Sequence, residues 1–133
     1  MTLEREPIVP PAMQDVAREK GYLPALRVGD FIFVAGQVGR DAAFNVIADP
    51  RAQFAAAFDN LRHVLAEAGC TFDDIVDMTT YHVDMPQHWE AFRTVKRELF
   101  PVALFPWTCV GATALANSAF LLEVKATACL PRG

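Results

Sequence analysis

YLPALRVGDFIFVAGQVG, residues 22–39, holds two short apolar runs separated by Gly29-Asp30. A Gly-Asp pair between two runs of strand formers is a hairpin signal. It predicts strands over 25–28 and 31–35. In the second run Phe31, Ile32, Phe33 and Val34 are all apolar. Alternation is lost there, and a strand without alternation is expected to be buried on both faces.

The C-terminal stretch AFLLEVKATACL, residues 119–130, alternates instead. Phe120, Leu122, Val124, Ala126 and Ala128 point one way, and Leu121, Glu123, Lys125, Thr127 and Cys129 the other. Before it, FPWTCVGATAL (105–115) predicts a strand over 107–112, with Trp107 beside the thiol of Cys109. Two helices fall between these strand regions. Asp49 and Pro50 suit an N-cap and first helical position. Phe54, Phe58, Leu61 and Leu65 follow at helical spacing, and Gly69 supplies the stop. After a strand over 75–83, Pro86 opens a second helix, with Trp89, Phe92, Val95 and Leu99 as its buried stripe and Pro101 as its end. Residues 1–20 carry Pro7, Pro10 and Pro11 and read as an irregular arm, with one helical turn near 13–20.

The order is β-β-α-β-α-β-β, an α+β chain forming one domain over 1–133, without internal repeat or linker. Two helices cover only one face of such a sheet. The other face, carrying Phe31 and Phe33, then needs cover from further copies of the chain. This predicts a homo-oligomer with clefts between subunits.

Composition narrows the function classes. Of the 133 residues 53% are hydrophobic, enough for a packed core, and the formal net charge is -4. Scattered Lys and Arg with an acidic balance disfavour nucleic acid, which wants a clustered basic surface. An odd count of three cysteines, Cys70, Cys109 and Cys129, favours free thiols in a reducing compartment. No run approaches the roughly 20 apolar residues of a membrane span. His63, His82 and His88 stand in no metal-ligand spacing. These features predict a cytoplasmic protein with no metal, nucleic-acid or membrane partner.

The pieces VGDFIFVAGQVG (28–39), AAFDNLRHVLAEAGCTFDDIV (56–76), TTYHVDM (79–85), TCVGATAL (108–115) and FLLEVKATA (120–128) together resemble the RidA (YjgF) family of reactive-intermediate deaminases. The resemblance covers roughly residues 22–130. It implies a chorismate-mutase-like fold and a homotrimer with a central sheet barrel and three intersubunit clefts. It also implies hydrolysis of enamines and imines to ammonia and a 2-keto acid, with no cofactor. In that family an Arg on the penultimate strand holds the substrate carboxylate. A Glu on the last strand, with main-chain groups near a Cys or Thr, positions water.

Residue by residue, the family Glu falls on Glu123 and the family Cys on Cys109. The anchoring Arg falls on Trp107. The Tyr of the N-terminal arm falls on Tyr22. A Ser falls on Ala35, followed by Gly36 and Gln37, and an Asn of the second helix on Arg93. The departures matter chemically. Arg grips a carboxylate by a two-pronged, charge-assisted contact. Trp offers one N–H and a π face.

Each candidate carries a plainer alternative. Glu123 is either a strand carboxylate balanced by Lys125 or a proton carrier whose pKa burial raises. Trp107 is either packing or a pocket wall that stacks a planar ligand. Arg93 is either solvated or a substitute anchor. Tyr22 is either arm packing or a lid. Gly36 marks a close backbone approach, and Cys109 is either a nucleophile or, more plainly, a small core thiol, whose backbone the family resemblance places at the site. The leading reading is a hydrolase of small imines, enamines or related C=N compounds, with a substrate other than 2-aminoacrylate. The rivals are a trimeric small-molecule binding protein and, behind it, an RNA-cleaving protein or translation inhibitor.

Overall fold

A computed structural model describes residues 4–131. Its strands are β1 (Arg5–Ile8), β2 (Ala25–Val28), β3 (Phe31–Val38), β4 (Ile75–His82), β5 (Trp107–Gly111) and β6 (Leu122–Cys129). The two α-helices are α1 (Pro50–Glu67) and α2 (Met85–Leu99). The strands form one mixed sheet in the order β1-β2-β3-β6-β4-β5. Only β4 and β5 run parallel, joined by the α2 crossover.

Local chemistry accounts for most of these elements. Val28 pairs with Phe31 across Gly29-Asp30, and Gly29 takes φ +60, which a β-carbon disfavours. The Asp49 carboxylate accepts from the Ala52 amide at 3.0 Å and caps α1, with Pro50 in its first turn. Phe54, Phe58, Leu61 and Leu65 are buried on its inner stripe, and Gly69 leaves the helix at φ +83. They meet Leu122, Val124, Ala126 and Ala128 of β6 in a single core beneath both helices. β6 begins at Leu122 rather than 119, because the Leu121 amide donates to Gln53 Oε1 at 2.7 Å instead of to a strand.

Two expectations are corrected and a third is left to assembly. The arm of residues 1–20 is not wholly irregular: Arg5–Ile8 is an edge strand on β2. An edge position tolerates Pro7, whose missing N–H a central strand would need. Of that expectation, residues 1–3 lie outside the described residues. Second, the chain itself covers only one face of the apolar run of β3, and burial of the other face is left to further copies. Ile32 and Val34 are fully buried, but Phe31 and Phe33 are 46% and 50% exposed in the single chain. The strand alternates normally, and its apolar outer row has no cover within the chain. Third, Leu99 of the α2 stripe is 39% exposed, because the helix ends there.

A β-bulge between Val34 and Gln37 breaks the β3–β6 register around Ala35 and Gly36. The N-terminal turns, including a π-helical stretch at Val16–Lys20 ended by Gly21 at φ +80, pack Met13 and Val16 into the core nearby.

Candidate functional site

On β6, Glu123 pairs with Val38 on one side and Tyr81 on the other, and so points to the face away from the helices. Its side chain lies against the bulge. A β-carbon at Gly36 would stand 2.5 Å from Glu123 Oε1 and 2.6 Å from Cδ. The absent side chain at 36 is what lets this carboxylate settle on the backbone. Burial pushes the Glu123 carboxyl up, and Lys125, two residues along the same face, opposes this in part. The two form no ion pair among the described residues.

Tyr22 is half exposed and shares a small pocket of about 20 Å³ with Gly36, Met13, Val16 and Arg40. Ala35 accepts from the buried Gln37 side chain at 3.1 Å through its carbonyl. The fold therefore brings Tyr22, Gly36 and Glu123 to one end of the sheet. Larger grooves, of about 690 Å³ beside α1 and about 620 Å³ between the helices, contain neither Glu123 nor Trp107.

Trp107, Cys109 and Arg93 lie elsewhere. Trp107 pairs with Met78, and Cys109 with Thr80, along the parallel strand. Met78 and Thr80 are buried under the helices, so Trp107 and Cys109 share the helix-side face, opposite Glu123. The indole packs on Phe58, Phe92, Phe100 and Phe105 with ring centroids 5.5 to 6.1 Å away. Its N–H donates to Thr80 Oγ1 at 3.1 Å, so it is not free for a ligand. Lys96 Nζ stands 4.8 Å from the ring centroid. Much of Trp107 is thus aromatic packing at the sheet edge. Cys109 is not the core thiol expected: it is exposed because β5 is an edge strand, with its sulfur 3.4 Å from Thr80 Oγ1. Arg93 holds Glu90 at 3.2 Å, and α-helical spacing places it on the same side of α2 as Trp89 and Lys96.

Sequence reasoning passed over two of the residues that organise this region. Thr80 Oγ1 gathers the Trp107 N–H, His82 Nε2 at 2.7 Å and Cys109. Burial pushes the His82 pKa down to about 4, so the ring is neutral. Lys96 follows Trp89 by seven residues, a helical spacing that was available to find it. Among the described residues no cluster of His, Cys, Asp and Glu is arranged to hold a metal ion, and no helix is long and apolar enough to cross a membrane.

Most of this chain matches a recognised family. Its model, described as Endoribonuclease L-PSP, matches residues 13–130. The chain belongs to this family. It is 42% identical over 130 residues to the RutC family protein YjgH of Escherichia coli, covering 97% of this chain and 98% of that one. A solved structure described as protein YJGH superposes with a TM-score of 0.90 at 41% identity, covering 98% and 99% of the two chains. The structure of Rv2704 from Mycobacterium tuberculosis, described as a member of the YjgF/YER057c/UK114 family, gives 0.80 at 26% identity, covering 96% of this chain and all of that one. RidA family membership and the α+β fold thus stand as the sequence suggested.

Proposed function

We propose that the chain is a hydrolase of small imines, enamines or related C=N compounds, with Glu123 as the group that handles water and protons. The observation carrying this reading is the Glu123 carboxylate resting on Gly36, partly withdrawn from water, with its pKa raised. A carboxylate poised in this way takes a proton from water as the oxygen attacks the C=N carbon. The nitrogen gains a proton, and the resulting carbinolamine collapses when the protonated amine leaves. In sum, one imine and one water give one carbonyl compound and one ammonia, a reaction that needs only water as co-reactant.

The uncovered outer row, with Phe31, Phe33, Val76 and Val110 exposed, favours self-association. The family resemblance makes the expected assembly a homotrimer. In such an assembly the Tyr22–Gly36–Glu123 end of one copy can face the Cys109–Arg93 edge of the next, groups that do not meet within one chain. Three free thiols among the described residues suit a reducing, cytoplasmic setting.

A second reading, a binding protein without chemistry, is favoured by Trp107. The position of the family anchor holds an indole committed to Thr80, which cannot grip a carboxylate. The endoribonuclease of the family's name is disfavoured by the formal net charge of -4.

Imine challenge tests the reading. Several 2-imino acids are generated in place with an amino-acid oxidase, and their loss is followed by semicarbazide trapping. Wild type is expected to speed the loss and Glu123→Ala to abolish the gain. A Glu123→Ala variant as fast as wild type defeats the assignment. An inert wild type that still binds 2-keto acids supports the binding protein.

A further inference from the structure

Beside the pocket of Tyr22 and Gly36 stands a cation that the comparison with RidA proteins does not assign. Arg40 follows β3 and bridges to Val46, closing a short loop. The loop is shaped by Asp41, whose carboxylate accepts from the Ala43 and Asn45 amides, both at 2.9 Å, and from Asn45 Nδ2 at 3.2 Å. These bonds hold Phe44 at φ +67, a conformation that a bulky side chain rarely adopts. In that pose the Phe44 ring lies under Arg40, with Cζ 4.0 Å from its centroid. Lys20 Nζ stands 5.6 Å from the same centroid.

Arg40 donates one N–H to the Asp41 carbonyl at 3.0 Å. No carboxylate pairs with it among the described residues, because the nearby Asp41 oxygens serve amides instead. Burial pushes the Arg40 pKa down, against the opposing pull of Tyr22 and Asp41. A partly desolvated guanidinium over a ring, with no carboxylate in ion-pair contact among the described residues, is prepared for an anion. Its planar fork matches a carboxylate. It lines the pocket that holds Tyr22 and Gly36, and Gly36 is the residue on which Glu123 rests.

We propose that Arg40, braced on Phe44 and joined there by Lys20, anchors the carboxylate of the ligand taken by the Tyr22–Gly36–Glu123 end of the sheet. The inference rests on the reading above that this end is the ligand site. It supplies the positive charge that Trp107 does not, from the segment that follows β3. The ligand class is then a small organic anion with its reactive carbon toward Glu123.

Calorimetric titration tests it with 2-oxobutanoate and its neutral analogue 2-oxobutanamide. Arg40→Met is expected to raise the Kd for the acid about tenfold or more and to leave the amide unchanged. Arg40→Lys keeps a cation without the fork and is expected to weaken the acid about threefold. Lys20→Met is expected to do so about twofold. Wild type that does not bind 2-oxobutanoate overturns the proposal. So does unchanged affinity in Arg40→Met, or in Arg40→Lys should the Met variant not fold. Arg40-dependent binding together with turnover indifferent to Glu123→Ala removes the catalytic reading and keeps the anchor.

Discussion

The Glu123 carboxylate lies on Gly36, so closely that a β-carbon there would stand 2.5 Å from Oε1. Three residues on, Gly39 makes an approach of another kind: its β-carbon would stand 2.1 Å from the backbone carbonyl oxygen of Gln53 in α1. At Gly36 the obstacle is a flexible side chain, whereas at Gly39 it is a helix backbone. Gly36→Ala is therefore expected to keep its melting temperature within a few degrees and to lose about a hundredfold in imine hydrolysis, because Glu123 is displaced. Gly39→Ala is expected to destabilise the fold by about 2–3 kcal/mol. Denaturant unfolding and rate assays on both variants check the contrast.

Glu123 binds its proton more tightly folded than unfolded, because burial raises its pKa. Its ionised form therefore opposes folding, and stability from this group declines as pH rises through the raised pKa. Turnover needs the ionised form and moves the opposite way, falling as pH drops through the same range. Glu123→Gln is expected to melt no lower than wild type at pH 7 and to lose at least about a hundredfold in kcat. A markedly lower melting temperature would point to a structural role for the carboxylate.

His82 behaves with the reverse sign. Its pKa is lowered to about 4 by burial, against an ordinary 6.5. Above about 6.5 both folded and unfolded rings are neutral, and the contribution to stability is fully present. It is lost as pH falls from there toward about 4. Imidazole signals in NMR should titrate near 4 in the folded protein. His82→Gln should flatten the stability profile between those limits.

Thr80 Oγ1 meets the Trp107 N–H, His82 and Cys109. Thr80→Val leaves the indole N–H and the His82 nitrogen without their partner. The expected cost is about 1–3 kcal/mol, with a shift in Trp107 fluorescence. Unchanged stability and emission would show that water or another group replaces the hydroxyl.

Phe33 is half exposed on the outer face, with Phe31 at 6.5 Å between ring centroids. Phe33→Asp places a charge in that row and is expected to weaken self-association at least about tenfold. Sedimentation of wild type should show an oligomer, and the variant a smaller species. A monomeric wild type defeats the assembly and the shared clefts with it.

The helices, the Gly29-Asp30 hairpin and the alternating last strand were legible in the sequence, because caps, turns and periodicity act over a few residues. Asp49, Pro50 and Gly69 mark the limits of α1 by such local chemistry. Glu123 and Gly36 were legible as candidates through the family resemblance. Their contact was not, since it joins two strands through a bulge that no single stretch announces. Residues 5–8 have no alternation to mark them, and they form a strand because β2 offers an open edge. The four apolar residues of β3 say nothing of which face is covered; the helices cover one and leave Phe31 and Phe33 outside. Trp107 received its environment from the parallel pairing of β5 with β4, which turns it toward the helix layer and Thr80. Arg40 has no carboxylate in ion-pair contact among the described residues, where Asp41 turns its oxygens to the loop amides that place Phe44 beneath it. Local sequence determined the elements and the apolar stripe of each, since those depend on neighbours along the chain. Tertiary structure alone decided which face meets which partner, because that depends on groups far apart in sequence and brought together by burial.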